Sequence, residues 1–252
     1  SDLVGIEAAL PFGLGKSSDE TIEGRFEWRH DGDAVSQLSL DYGDRLRARG
    51  THGPGDEQRW GVALGAREPV LPDAPGTAIS GVLPTIAVAD LRGLVTDGFG
   101  AEEDRTLGLP PVRALNVEVD GLEISRWRVE PFEVTGAPTA DGWSLALDGG
   151  GVGAVEWQAQ RNGLDVDLET LTLAVRGPES ASGQPPAEPL PRDPKQDDTR
   201  AFPFDVSVDA LSAGGEALGA LSFSRRVDGD AAEQAELTLE GDVVDLDAVI
   251  ER

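Results

Sequence analysis

The sequence predicts a mainly β protein: an antiparallel meander of repeated strand units with one or two short helices. Three observations carry this. Apolar residues recur with period two in at least seven runs, the signature of strands with one apolar and one wet face. Glycine (32) and proline (17) are abundant and fall between the runs, as turns require. A block of the sequence also repeats itself at a spacing of 89 to 92 residues.

Residues 11–20, PFGLGKSSDE, carry a Gly-Lys-Ser like the end of a phosphate-binding loop. That loop needs a glycine five residues before Gly15 and a long helix after it. Leu10 stands there instead, and Ile22, Phe26 and Trp28 follow with strand spacing. The segment is therefore expected to be a turn. Next come Leu38, Leu40 and Tyr42, then Trp60, Val62 and Leu64, each alternating with small or polar residues. Asp90 could cap a short helix with Leu91, Leu94 and Val95 on one face. Strands follow at 115–119, 143–147 and 164–168, and another with opposite parity at 171–175. Seven prolines in 177–203 rule out a ladder and predict an exposed loop. Phe204, Val206 and Val208 begin a further strand, and Asp245–Ile250 is read as the start of a second short helix.

The repeat sets LNVEVDGLEI at 115–124 against FDVSVDALSA at 204–213, 89 residues apart. Apolar parity flips after Asp120 and after Asp209 alike. Phe132 and Val134 match Leu221 and Phe223; then WSLALDG at 143–149 matches AELTLEG at 235–241, 92 residues apart. Each unit is strand, tight turn, strand, variable turn, strand, and such units add edge to edge. A weaker echo joins Ile79-Ser80-Gly81 to Leu239-Glu240-Gly241. The chain divides into an N-terminal β unit ending in a short helix (1–100), a first repeat (101–176), the proline-rich loop (177–203) and a second repeat (204–252).

Composition excludes several functions. With 47 acidic against 21 basic residues, the formal charge is −26, which repels nucleic acid and anionic headgroups. The absence of cysteine removes disulfides, thiolate metal sites and cysteine nucleophiles. No run is apolar enough to cross a membrane as a helix. The start has no signal-peptide pattern and the chain has no methionine, so it reads as an excised piece of something longer. His30 and His52, the only histidines, sit beside Asp31, Gly32 and Gly53 like surface loop residues. No G-x-S-x-G elbow exists, the Asp-Gly-Asp strings at 31–33 and 228–230 lack calcium-loop spacing, and nothing singles out a catalytic pair among the carboxylates. No enzyme activity, cofactor or metal is expected.

Four stretches resemble the YhdP family of AsmA-like envelope proteins in its C-terminal half: LPFGLGKSSDE at 10–20, LSLDYGDRLRARG at 38–50, GTAISGVLPTIAVADLRGL at 76–94 and FPFDVSVDALSAGGEALGALSFS at 202–224. DGWSLALDG at 141–149 fits the same repeat. The resemblance implies a long sheet curled into a groove that carries phospholipid across the periplasm from an inner-membrane anchor towards the outer membrane. The partners it implies are phospholipid acyl chains, the rest of the same polypeptide with its anchor, and a contact at the outer membrane. This chain lacks the anchor and the first half, so it is expected to be soluble and unable to bridge two membranes alone.

The residues expected to line the groove are Val117, Val119, Phe132, Val134, Leu145, Leu147, Val206, Val208, Leu221, Phe223, Leu237 and Leu239. On periodicity alone these side chains pack on one another in a sandwich core; the repeat and the resemblance turn the reading to a groove. The alternative is a structural or adhesive all-β envelope module with a closed core and no lipid. Trp28, Trp60, Trp127, Trp143 and Trp157 suit either a groove mouth or a core, and each taken singly is expected in a core.

Overall fold

In a computed structural model, which describes residues 2–3, 5, 7, 12, 14–30, 36–53, 57–88, 110–161, 163–175, 203–228, 232–241 and 245–251, the alternating runs become eighteen strands of one sheet. The N-terminal unit holds β1 (Asp2–Leu3), β2 (Ile22–His30), β3 (Ser36–Tyr42), β4 (Leu46–His52), β5 (Gln58–Leu64), β6 (Gly76–Leu83) and β7 (Ile86–Ala87). The first repeat holds β8 (Val112–Val119), β9 (Leu122–Ile124), β10 (Trp127–Val129), β11 (Phe132–Pro138), β12 (Gly142–Gly149), β13 (Gly151–Gln158) and β14 (Gly163–Val175). The second holds β15 (Phe204–Ala213), β16 (Glu216–Asp228), β17 (Ala232–Glu240) and β18 (Asp245–Glu251).

Pairing runs from β1 through β2, β3, β4, β5, β6, β8, β11, β12, β13, β14, β15, β16 and β17 to β18. Most pairs are antiparallel, as expected of a meander. The β5–β6, β6–β8, β7–β9 and β14–β15 pairs are parallel. Alternation marks a strand's faces but not its direction, so sequence could not locate these junctions. A parallel pair needs a crossover. The one from β5 to β6 lies over the outer face, where a Cβ on Gly61 would come within 2.5 Å of the Val70 carbonyl oxygen. Salt bridges from Arg47 to Glu68 and from Arg67 to Glu118 tie this crossover to the same face.

The first repeat contains a fork. β10 and β11 run in the same direction on either side of Glu130-Pro131. Beyond the fork β10 pairs directly with β14, Trp127 opposite Val175. Before it, the β12–β13 hairpin is inserted between β11 and β14. Glycine makes the insertion fit: a Cβ on Gly150 at the hairpin tip would lie 2.4 Å from the Glu130 carbonyl oxygen. The tip is pinned from both sides, Gly150 N–H donating to Pro131 and the Thr172 N–H to Gly150. From β6/β7 to β14 the sheet is therefore six strands wide at one edge and four at the other. At about 4.8 Å per strand the edges differ by about 10 Å, so this part of the sheet must fan.

Two bulges flip parity as the sequence suggests. The runs at 164–168 and 171–175 are one strand, β14, whose partner register shifts around Glu169. β15 shifts in step between Val208 and Leu211. The helix expected at Asp245–Ile250 is instead β18, paired with β17 from Asp245 to Glu251. Leu246 and Ala248 alternate with Asp245, Asp247 and Val249, and the open edge of β17 rewards that period-two pattern over a single isolated helical turn. The helix expected at Asp90–Val95 and the proline-rich loop up to residue 202 lie outside the described residues.

Candidate functional site: a continuous apolar face

The register lines up the apolar positions of successive strands into tracks along the sheet. The middle track runs from Phe26 through Leu40, Ala48, Val62, Ile79, Leu115, Gly136, Leu145, Val155, Val166, Val206 and Phe223 to Leu237 and Ala248 without a polar residue. A second track lies beside it, from Tyr42 and Leu46 through Leu64, Gly81, Val117, Val134, Leu147, Gly153, Leu168, Val208 and Leu221 to Leu239 and Leu246. Fourteen strands contribute to the middle track, which at about 4.8 Å per step is roughly 60 Å long.

The twelve residues singled out from sequence all lie on this face. Leu145, Val206, Phe223 and Leu237 are on the middle track; Val117, Val134, Leu147, Val208, Leu221 and Leu239 are on the second. Val119 and Phe132 pair one step further out. Val117 (4% exposed), Val119 (3%) and Val208 (1%) are buried, and the other nine are half-buried. Two clusters form the floor. One centres on Leu64, Leu83, Ile86, Val117 and Val119, the other on Leu168, Val208 and Leu211. They abut where Val134 of one faces Leu147 of the other.

A packed second layer would bury the middle track, as the facing sheets of a sandwich do. Here Phe26 is 62% exposed and Leu40 37%. Sequence reasoning did not name the N-terminal half of the track, including Phe26, Leu40, Val62 and Ile79. The signal was present in the same alternation, but the repeat drew attention to the second half. The tryptophans are not uniformly core residues: Trp28 is 67% exposed, while Trp60, Trp127, Trp143 and Trp157 are half-buried. Trp60 lies flat over Gly50, where a Cβ would meet its ring at 2.7 Å.

The opposite face is polar and carries its charge differently in its two halves, with an uncharged row Ala63, Ser80, Asn116, Thr135, Ala146 and Ala154 between them. On β2–β4, Arg25 and Glu27 are paired, and Arg49 reaches Asp41 at 2.9 Å. The Arg25 guanidinium, hydrogen-bonded to Glu27, holds that carboxyl below the usual glutamate range. On β14–β17 the register sets Asp165 beside Asp205 and Ser224 beside Glu236, with Arg161 bonded to Asp165 at 2.5 Å.

The other sequence candidates resolve simply. Gly15-Lys16-Ser17 precedes β2 and leads into a turn closed by the Glu20 N–H donating to the Ser17 carbonyl; Lys16 is a buried bridge residue whose Nζ donates to the same carbonyl at 2.8 Å. His30 and His52 are exposed strand ends, not loop residues, and His30 Nδ1 lies 2.9 Å from Ser36 Oγ. Among the described residues no group of three or more His, Asp or Glu is placed to hold a metal ion. No helix among them is long and apolar enough to cross a membrane. No curated protein and no solved structure matches the chain. A family described as YhdP protein matches residues 1–248, nearly the whole length, and the chain belongs to that family.

Proposed function

We propose that this chain is a periplasmic segment of a bridge-like lipid-transfer protein, holding phospholipid acyl chains along its apolar face between the inner and outer membranes. Family membership points to AsmA-like lipid transport at the level of the family. The observation that carries the reading for this chain is the middle track: fourteen strands contribute apolar residues or glycine in register, and its large side chains are half-buried or, at Phe26 and Leu40, exposed. Exposing a methylene to water costs about 0.8 kcal/mol, so roughly thirty of them in a diacyl lipid raise a barrier on the order of 20 kcal/mol to crossing bare water. A continuous apolar track removes most of that barrier by burial alone. The role proposed is non-enzymatic: the face offers acyl chains a surface and no reacting group. The cargo is phospholipid, and the working context is a longer polypeptide anchored in the inner membrane and contacting the outer one.

The alternative, a closed-core module without cargo, would be favoured by side chains sealed on both sides. Crosslinking separates the two. A photoreactive residue at Leu145 or Val206 should capture phospholipid, whereas one at Asp205, on the opposite face of the same strand as Val206, should not. Capture at Asp205 alone, or at none of the three in a folded protein exposed to lipid, contradicts the reading.

A further inference from the structure

The apolar face has two unlike edges. The four-strand edge is covered at its N-terminal end, although Ile124 (39% exposed) and Val175 (60%) stay open beside Trp127. Phe12 and Leu14 pack onto the cluster around Leu64 and Leu83, and Arg45 bonds to the Gly15 carbonyl and to Glu20. Trp127, stacked with Arg126, lies on this side. The six-strand edge carries a different row. From β2 to β6 it reads Trp28, Leu38, Gly50, Trp60 and Thr77. From β11 to β16 it reads Pro138, Trp143, Trp157, Leu164, Phe204 and Arg225. Four of the five tryptophans thus stand on one edge. One step beyond it on β2–β5 the residues are polar: His30, Ser36, His52 and Gln58.

Tryptophan, apolar in body with one N–H, suits a boundary between an apolar phase and water. Charge points the same way. In a chain with 47 acidic residues, the register places no aspartate or glutamate in this row or in the two tracks inside it. Arg225, half-buried opposite Phe204, is the one charged residue it places there. A guanidinium binds phosphate oxygens with paired N–H donors.

We infer that the tryptophan edge is where the phosphate-bearing headgroups of a diacyl lipid leave the trough. Arg225 meets the phosphate, and the indoles sit at the level where the acyl chains begin. This rests on the lipid-trough reading above and adds a polarity to it: headgroups leave at the tryptophan edge, while the opposite edge is partly covered by the segment around Phe12 and Leu14.

The test uses the full chain carrying Trp127→Phe, so that only edge tryptophans report. It is loaded with phosphatidylglycerol brominated either near the acyl carbonyl or near the chain terminus. Bromine near the carbonyl should quench more strongly. Arg225→Gln should weaken retention of phosphatidylglycerol by about tenfold while leaving uncharged diacylglycerol of the same chains unchanged, and Arg225→Lys should restore part of the loss. Equal or stronger quenching from the chain terminus, with lipid retained, overturns the edge assignment alone. An Arg225→Gln loss equal for both lipids, in protein with unchanged circular dichroism, overturns the role of Arg225. Retention of neither lipid overturns the trough reading and this inference together.

Discussion

The two repeats solve the same geometric problem and finish it differently. Ser125 in the turn after β9 has φ 57°, and Gly214, 89 residues on, has φ 62° in the turn after β15. Val119 and Val208, the same distance apart, are both buried at the floor. The wedge recurs as well: Gly150 abuts the Glu130 carbonyl, and Gly241 abuts that of Leu218, where a Cβ would be 1.9 Å from the oxygen. In the first repeat β14 closes behind the wedge by pairing with β10. In the second, among the described residues, Glu216 and Ala217 pair with β15 alone. Widening one edge by inserting a hairpin is thus a repeated device, locked on both sides once and on one side the second time.

The largest effect that could break this comparison is at the wedges. Gly150→Ala should cost about 3 kcal/mol in urea unfolding, because a methyl is forced against backbone that is hydrogen-bonded on both flanks. Gly241→Ala should cost about half as much despite the closer approach, because its surroundings are held from one side and can shift. Equal costs would mean that closure of the fork contributes nothing to its rigidity. A smaller effect lies in the turns. Ser125→Gly should stabilise the chain by about 1 kcal/mol and Gly214→Ser destabilise it by a similar amount, since only glycine enters the left-handed region freely. A neutral or destabilising Ser125→Gly would show that the two turns are not energetically equivalent.

The parts of this fold that depend on local alternation were legible in the sequence. The strands at 115–119, 143–147 and 204–208 follow from apolar residues two apart, and the parity flips after Asp120 and Asp209 foretold the break between β8 and β9 and the bulge in β15. The 92-residue match of Gly149 to Gly241 marked where the wedges sit, though not that they were wedges, because a glycine's reason is the backbone facing it. Strand direction was hidden, since Leu164 and Phe204 alternate identically whether their strands run parallel or not. Asp245–Ile250 was misread because a capping aspartate and spaced apolar residues fit one helical turn as well as a strand, and the open edge of β17 decides between them. The tryptophan edge was invisible for a related reason: Trp28, Trp60, Trp143 and Trp157 are scattered in sequence, and only the register brings them to one side.

The central claim is that the in-register apolar face holds lipid along its length. Native mass spectrometry of the chain after incubation with phospholipid vesicles tests it most directly. The account predicts adducts of one or more intact phospholipids, lost on Val206→Glu together with Leu145→Glu in protein that keeps its β-sheet circular dichroism. Unliganded protein alone, folded and in lipid excess, would contradict it.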